Sequence, residues 1–375
     1  MKRISLFLLL FLLLKATVMY SQDGHPETNF RIVPVSPNAA SLGTFGMIPT
    51  DNYVGQANLT IPIYEIDLDG KKFPIALSYH TDGTRVAQEA TWIGLGWTLQ
   101  AGGCVVRQVQ GTDDFAARGC YNLTDAPWLT NPRFEVTDQN LEKYMGYFKG
   151  DYDAEPDMFY FNAGGHSGSM YFDVLKNNRQ LNAVPTIQTQ EKVVKMVYNT
   201  SNKTWTMTDL EGYVYSFSTK EITYYFLNTI DFFQTDITRS HIFPYYNEPQ
   251  IVTAWMLDSV TSPNGGKITF SYKKESIFTP ISTTEDVISL SKIVNGQLSS
   301  QSPQYFTNKF NYNYSYSKIE QWTLSAITFE GGKVEFGTTD REDIESAETG
   351  KKVQKLSSIK VSDTAGNLKI GRAHV

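Results

Sequence analysis

The chain has 375 residues, a formal net charge of −6 and 13% aromatic residues. Its pI near 5.5 argues against a surface for nucleic acid or anionic membrane, because such surfaces need clustered Lys and Arg. The abundance of Tyr and Phe favours strands over helices. The composition therefore predicts a protein of one large or two ordinary β domains.

The first 21 residues have the organisation of a secretory signal peptide. Lys2 and Arg3 precede an apolar run over residues 4–14, which is too short to span a bilayer. We expect cleavage after Ser21 and export through a Sec-type route to the cell surface or the medium, with no stable membrane insertion afterwards. Residues 22–46 are rich in Pro, Asn, Ser and Thr and are expected to form an extended leader.

An N-terminal β domain is predicted over residues 47–175. It begins with a hairpin, because residues 58–64 and 73–79 both resemble strands and Asp67-Leu68-Asp69-Gly70 lies between them. The same Asp-x-Asp-Gly pattern begins some calcium loops, but the distal ligands of an EF-hand are missing. We therefore interpret it as a hairpin turn and expect no metal site.

The most constrained stretch follows at residues 92–107. Gly94, Gly96, Gly102 and Gly103 alternate there with Trp92, Trp97 and Leu99. Glycine allows positive φ and close backbone approach, so this pattern predicts a bulge or sharp bend packed against aromatic rings. A nucleotide-binding loop is the alternative, but the third glycine of a dinucleotide fingerprint and a Gly-Lys-Ser/Thr element are both missing.

Residues 113–152 are the least regular part and include one candidate short helix at 141–148. A second hairpin is expected at 158–161 and 169–172, around Asn162-Ala163-Gly164-Gly165. His166 lies in this turn without another histidine or cysteine at ligand spacing, so we interpret it as solvated.

From residue 176 to 369 a hairpin unit recurs. Trp255-x-Leu257, Gly265-Gly266 and Ile268-x-Phe270 are echoed by Trp322-x-Leu324, Gly331-Gly332 and Val334-x-Phe336, and a third copy begins at Leu356. Residues 209–217 resemble the same unit. Such hairpins have one aromatic face, so they are expected to join into an extended antiparallel sheet or to form sandwich layers.

Two segments depart from this pattern. Residues 277–318 are rich in Ser, Thr, Gln and Asn, and we expect a polar insertion with surface loops. Residues 370–375 break the strand pattern and match the translation of a sequencing-adapter stretch. We expect this tail to be non-native. The predicted fold class is therefore all-β, with at most one or two short helices.

The cysteines and the histidines offer little chemistry. Cys104 and Cys120 could form a disulfide in an oxidising compartment, or both could be thiols. Cys104 could also be a nucleophile, but no Gly-x-Ser-x-Gly elbow accompanies His25, His80, His166 or His241.

Paired carboxylates are the main catalytic candidates. Asp113/Asp114, Asp151/Asp153 and Glu155/Asp157 have the residue types that a glycoside hydrolase uses. Acid pairs in loops are usually solvated, so we assign no catalytic, cofactor or metal residue. Aromatic side chains on a solvent-facing sheet would instead indicate a carbohydrate-binding β-sandwich protein with a surface glycan as its partner.

Two segments carry a resemblance to a known family. Residues 78–80 (Ser-Tyr-His) and 89–103 (Glu-Ala-Thr-Trp-Ile-Gly-Leu-Gly-Trp-Thr-Leu-Gln-Ala-Gly-Gly) resemble "LSYH…EASWVGLGWSLNAGG" of secreted RHS/YD-repeat proteins of the Bacteroidetes type. Residues 155–162 (Glu-Pro-Asp-Met-Phe-Tyr-Phe-Asn), with Gly164, Gly168 and Tyr171-Phe172-Asp173, resemble the "PD.F.FNF.G..G.F.FD" segment that follows. The resemblance covers about residues 58–173.

The resemblance implies a structural function. Proteins of this family wind β-hairpins into a hollow shell around a C-terminal toxic or effector domain. This chain would then be the β-rich N-terminal part, with its own C-terminal repeat and effector region as partners and no enzymatic activity or cofactor of its own. Clear Tyr-Asp repeats are missing: at the last hairpin Ser362 stands before Asp363, where the family normally has Tyr.

Overall fold

The computed structural model describes most of the chain from residue 35 onward. The described residues are 35–39, 42, 58–80, 88–111, 113–116, 119–120, 141, 153, 155–172, 185–188, 194–231, 250–280, 282–289, 293–294, 297–298 and 308–374. The expected signal peptide lies outside these ranges. So does the candidate helix at 141–148, apart from Leu141, which is helical. None of the helical segments in the described ranges is long and apolar enough for a bilayer span.

The described residues form three antiparallel sheets, which confirms the all-β fold class. The first sheet has three strands in the order β1-β2-β3: β1 (Asn58–Leu68), β2 (Lys71–His80) and β3 (Trp97–Gln100). The second sheet has 14 strands. They are β4 (Gly103–Gln108), β5 (Met158–Ala163), β6 (His166–Tyr171), β7 (Thr186–Ile187), β8 (Val194–Asn199), β9 (Thr204–Asp209), β10 (Val214–Asp231), β11 (Gln250–Thr261), β12 (Lys267–Phe278), β13 (Ser282–Ser289), β16 (Asn308–Phe329), β17 (Gly332–Asp340), β18 (Gln354–Ser362) and β19 (Leu368–His374). A two-stranded ribbon consists of β14 (Ile293–Val294) and β15 (Gln297–Leu298).

The predicted hairpins are all present. Strands β1 and β2 are joined at Asp69 and Gly70, whose φ angles of 50° and 93° fit the left-handed turn expected from the sequence. Gly164 and Gly165 join β5 to β6 in the same way. The recurring unit corresponds to the hairpins β11–β12, β16–β17 and β18–β19, and the related unit to β9–β10.

The predicted glycine bend joins the two main sheets. Gly94, Gly96 and Gly102 have φ angles of 142°, 75° and 94°, in the range that favours glycine. Gly103 is needed for another reason, because a Cβ there would lie 2.4 Å from the carbonyl oxygen of Asn162 on β5. The chain therefore changes sheet at 101–102, and the large sheet spans the domain division expected at residue 175.

The main core lies between the two sheets. Ile66, Ile75 and Leu99 from the small sheet belong to one buried cluster with aromatic and aliphatic residues of the large sheet. The aromatic members include Trp205 and Trp255, both 1% exposed. The period-two strands thus bury their apolar faces by packing one sheet on the other.

Four strands of the large sheet pair in a closed circuit. Strand β10 pairs with both β11 and β16, and β12 also pairs with both β11 and β16. Strand β10 reaches its second partner because it has 18 residues, and β16 has 22. The sheet is therefore curled, with an inner and an outer face along these four strands.

The polar segment at 277–318 differs from expectation. It contains the end of β12, the whole of β13 and the first part of β16, and β13 pairs with β16 over eight residues. The composition suggested loops, but Thr, Tyr, Val and Ile within the segment all favour strands. The tail expected to break the strand pattern also pairs, because β19 runs to His374 beside β18.

The leader also differs from expectation where it is described. Residues 37–39 are helical, and Ser36 and Ala39 are fully buried. The Ser36 hydroxyl accepts a hydrogen bond from the Ala39 N–H at 3.1 Å, and Pro37 occupies the first helical position, as at many helix starts. This segment lies inside the curled sheet, where Ala39 packs with Cys104, Ala254 and Met256.

Candidate functional site

Arg107 on β4 lies at the centre of a buried charged cluster. Its Nε donates to Asp157 Oδ2 at 2.8 Å, and its Nη2 donates to both Asp157 and Asp113. The guanidinium carbon lies 5.0 Å and 5.6 Å from the ring centroids of Phe115 and Phe159. We call these residues, together with Asp114, the Arg107 cluster. Ion pairs and ring contacts together hold a buried cation here.

Asp157 accepts a full set of hydrogen bonds. In addition to Arg107, it accepts from the N–H groups of Gln110 at 2.7 Å and Asp114 at 3.2 Å. Its own N–H donates to Asp114 Oδ2 at 2.8 Å. Burial raises the pKa of Asp157, and the positive charge of Arg107 opposes that shift. These bonds fasten the loop at 113–116 to the start of β5.

Asp114 differs from its neighbours because one of its carboxylate oxygens has no hydrogen-bond partner among the described residues. Its Oδ1 is buried and accepts no hydrogen bond from any described residue. Burial, reinforced by the negative charge of Asp157, raises the pKa of Asp114 to about 8. The surroundings of Asp114 therefore favour the protonated form of its carboxyl group.

The structure corrects the expectation that the paired carboxylates are solvated. Asp114, Asp153 and Asp157 are buried, whereas Glu155 is exposed and Asp151 lies outside the described residues. A glycosidase needs two carboxyl groups that face each other across an open, sugar-sized gap. Asp114 and Asp157 instead bond to each other's backbone inside the protein, an arrangement that stabilises a loop.

The cysteines and the described histidines have structural surroundings. Cys104 and Cys120 are both buried thiols, so the suggested disulfide is not formed. Burial raises the pKa of the Cys104 thiol, which makes it a poor nucleophile. His166, expected to be solvated, has Nε2 3.8 Å from Asp209 Oδ2, with its side chain 25% exposed. His80 ends β2, and His25 and His241 lie outside the described residues.

A second charged cluster lies where the hairpin turns meet. The Asp209 carboxylate accepts from Lys71 Nζ at 2.5 Å, from the Tyr215 hydroxyl at 3.1 Å and from the Tyr213 N–H at 2.9 Å. Burial alone raises the pKa of Asp209, but these donors lower it overall, with Lys71 contributing most. The cluster joins the small sheet to β9 and β10.

A third polar cluster surrounds Glu221 on β10, which is fully buried. Its carboxylate accepts from the Ser36 N–H at 2.8 Å, from the Ser36 hydroxyl and from the Thr253 hydroxyl at 3.1 Å. Burial raises the pKa of Glu221, although these hydrogen bonds oppose the shift. Asn38 extends the contact, since its Oδ1 accepts from the Trp92 N–H at 2.8 Å.

Sequence reasoning did not identify Arg107, Glu221 or Ser36. Signals for two of them were present: Ser36-Pro37 is a helix-start pattern, and Arg107 is a lone charge in an apolar strand. For Glu221 we find no such signal.

The aromatic side chains do not form an exposed platform. Among the residues whose side chains are described, every Trp, Tyr and Phe is buried or half-buried, and the exposed large apolar residues are Leu and Ile. Phe159, Phe172, Tyr198, Trp205 and Trp255 pack against one another in the core. A glycan-binding face would need such rings in solvent, so the described surface does not favour the carbohydrate-binding alternative.

The Asp67 turn has the predicted structural role. Asp67 Oδ1 accepts from the Gly70 N–H at 2.8 Å, which closes the turn between β1 and β2. In the described part of the chain, no group of three or more His, Cys, Asp or Glu is placed to hold a metal ion.

No protein-family model and no curated protein matches the chain. The chain is similar in structure to part of the crystal structure of TcdB2-TccC3-Cdc42, with 10% identity and a TM-score of 0.37 over 83% of this chain and 13% of that chain. The chain is also similar in structure to part of the Photorhabdus luminescens Tc holotoxin pore with a mutation in TccC3. The sequence identity is 9% and the TM-score is 0.37, over 92% of this chain and 14% of that chain.

A third similar structure is the N-terminal domain of effector protein SpvB from Salmonella typhimurium strain LT2. Its identity is 10% and its TM-score 0.37, over 84% of this chain and 91% of that chain. The chain thus spans only 13% and 14% of the length of the first two of these chains. The described residues define an all-β protein built on one large curled antiparallel sheet.

Proposed function

We propose that the chain is the structural, β-rich N-terminal part of an RHS/YD-repeat shell protein that scaffolds or encloses a C-terminal effector. The observation that carries this proposal is the large sheet. At one end of this sheet, strands β16, β17, β18 and β19 follow one another in sequence order. Each successive hairpin therefore widens the sheet, which would form the wall of the shell. A wall built this way grows with the number of hairpins.

The two segments that resemble the family support the proposal because they meet in space. The first forms β3, the glycine bend and the first residue of β4, and the second contains Asp157 and most of β5. Strands β4 and β5 pair over six residues, and Arg107 on β4 binds Asp157, the residue directly before β5. Both segments therefore lie at the connection between the small and the large sheet, where their residues have a structural role.

The three buried polar clusters support the same role. Each joins elements that are distant in sequence: Arg107 to Asp157, Lys71 to Asp209, and Glu221 to Ser36. Separating the partners of a buried ion pair costs on the order of 3–5 kcal/mol of free energy. These contacts therefore oppose separation of the strands that they join. Export through the N-terminal segment 1–21 belongs to the proposal, since a toxin shell acts outside the cell.

The proposal is tested on the product of the complete reading frame. DNA downstream of the locus is expected to encode many Tyr-Asp repeats and a divergent end. In the purified product, the C-terminal region should resist protease while the shell is intact and should be cut quickly in the Gly103→Val variant, whose Cβ would collide with the β5 backbone.

Lys333→Ala, at an exposed site on β17, serves as the control and should leave protection unchanged. A reading frame without repeats, or a C-terminal region cut equally fast in wild type and in Gly103→Val, would contradict the proposal.

A further inference from the structure

A cavity of about 260 Å³ lies between the two sheets beside the glycine bend. Protein interiors contain few voids larger than a water molecule, and an apolar cavity of about 150 Å³ already accommodates benzene. Since one water occupies about 30 Å³ of liquid, this space equals roughly nine waters. It is therefore large enough for a small organic molecule.

The walls of the cavity are mainly apolar and come from both sheets. The small sheet contributes Ile66, Ile75 and Leu99, and the large sheet contributes Ile268, Phe270 and Ile327. These six residues also belong to the main hydrophobic core. A ligand here would bury its apolar surface against side chains that are already held in place.

The polar part of the lining is neutral. Gln100 and Asn162 are the lining residues with polar side chains, and none of the described lining residues is ionisable. A charged ligand group would therefore be buried without a countercharge, at a high cost in free energy. A hydroxyl or carbonyl group could instead exchange hydrogen bonds with an amide.

Glycines leave part of the lining without side chains. Gly102 has a φ of 94°, which other residues rarely adopt, and its missing Cβ would lie 3.5 Å from the Phe270 ring. At Gly165, φ is 82° and an added Cβ would meet no atom within 4 Å. Leu42, next to the helical segment of the leader, also lines the cavity, and its carbonyl accepts from Asn162 Nδ2 at 3.1 Å.

We infer that this cavity binds a neutral, mainly apolar molecule of about ten non-hydrogen atoms with one hydrogen-bonding group. A medium-chain alcohol has this chemistry. The inference goes beyond the proposed shell role and does not depend on it.

The test uses n-decanol as the probe and the purified full chain. Calorimetric titration is expected to give a dissociation constant of about 10 µM. Decanoate at pH 8, with the same chain length and a negative charge, should bind at least tenfold more weakly. Ala101→Leu places three extra carbon atoms beside the bend and should weaken decanol binding at least tenfold.

Ala365→Leu is the matched control, because Ala365 is exposed in the β18–β19 turn, and it should bind decanol as the wild type does. If Ala101→Leu fails to fold, anomalous diffraction from 10-bromodecan-1-ol in wild-type crystals locates the site. Bromine in the cavity supports the inference. No binding up to 1 mM, equal binding by both alanine variants, bromine elsewhere, or decanoate bound as tightly as decanol would overturn it.

Discussion

Arg107 and Glu221 are both buried in the large sheet, with 2% and 0% of their surface exposed. Their surroundings nevertheless favour opposite charge states: Arg107 stays charged, whereas burial favours the neutral form of Glu221. Arg107 faces two aspartates and two rings. Although burial alone lowers the pKa of Arg107, the charges of Asp157 and Asp113 raise it, so it stays ionised. Glu221 faces only neutral donors, and burial raises its pKa. The sheet keeps a charge where a neighbouring element supplies a countercharge, and favours a proton where the neighbour is neutral.

The largest expected effect is at Arg107. Arg107→Met removes the cation and leaves Asp157 and Asp113 without it, which should reduce the free energy of unfolding by about 3–5 kcal/mol. Urea titration followed by tryptophan fluorescence measures this. Lys352→Met is the control, because the side chains of Lys352 and its partner Glu342 are 55% and 88% exposed, so solvent can replace the pair. A loss below about 1 kcal/mol at Arg107 would contradict the role given to the cluster.

The next effect is a gain at Asp114, the member of the Arg107 cluster whose protonated form is favoured by burial. Its pKa in the folded chain is raised to about 8 from 3.8. The unfolded chain therefore loses this proton first, and stability falls as the pH rises from 3.8 to about 8. Asp114→Asn removes this loss and should stabilise the protein by about 2 kcal/mol at pH 8, with little change near pH 4.

Unfolding at several pH values measures this difference. Glu342→Gln, at a carboxylate 88% exposed, should show no such trend. A gain for Asp114→Asn that is equal at both ends of the pH range would mean that Asp114 is ionised in the folded protein.

A smaller loss is expected at Ser36, on the Glu221 side of the comparison. Ser36→Ala removes the hydroxyl that binds Glu221 and also caps the helical residues 37–39. The loss should be about 1–2 kcal/mol. Burial raises the pKa of Glu221, and the neutral acid needs the Ser36 donors less than the carboxylate does. The loss should therefore grow as the pH rises through this raised pKa.

Ser201→Ala in an exposed turn is the matched control for Ser36→Ala and should change stability by less than about 0.5 kcal/mol. If Ser36→Ala behaves in the same way, the leader contact contributes nothing measurable to the fold.

The smallest effect is expected at an exposed pair. Lys333 Nζ lies 2.6 Å from Glu335 Oε1, and the two side chains are 44% and 50% exposed. Lys333→Ala should change the free energy of unfolding by less than about 0.5 kcal/mol, and less still in 0.5 M salt. A larger change would show that surface charge rivals the buried clusters in this sheet.

The sequence was enough to predict the glycine-dependent turns and the bend. The Asp69-Gly70 and Gly164-Gly165 turns need positive φ angles, and the bend at Gly94–Gly103 needs residues without side chains, so glycine positions located them. These features depend on a few adjacent residues.

The polar clusters were not predictable because their partners are far apart in the chain. Asp157 lies 50 residues from Arg107, and Ser36 lies 185 residues from Glu221. Nothing local distinguishes buried Asp157 from exposed Glu155 two residues earlier. The strands within 277–318 were missed for a related reason: their polar composition resembles a loop, and only pairing with a distant strand decides the matter.

The closed circuit of β10, β11, β12 and β16 limits when the buried contacts of residues 36 and 38 can form during synthesis. Synthesis proceeds from the N-terminus, so Ser36 and Asn38 leave the ribosome long before their acceptors. Glu221 follows Ser36 by 185 residues, and Gln321 follows Asn38 by 283. The contacts of Ser36 and Asn38 therefore cannot be completed until Gln321 has been synthesised, so residues 36 and 38 gain their last partner only after β10, β11 and β12 have been made.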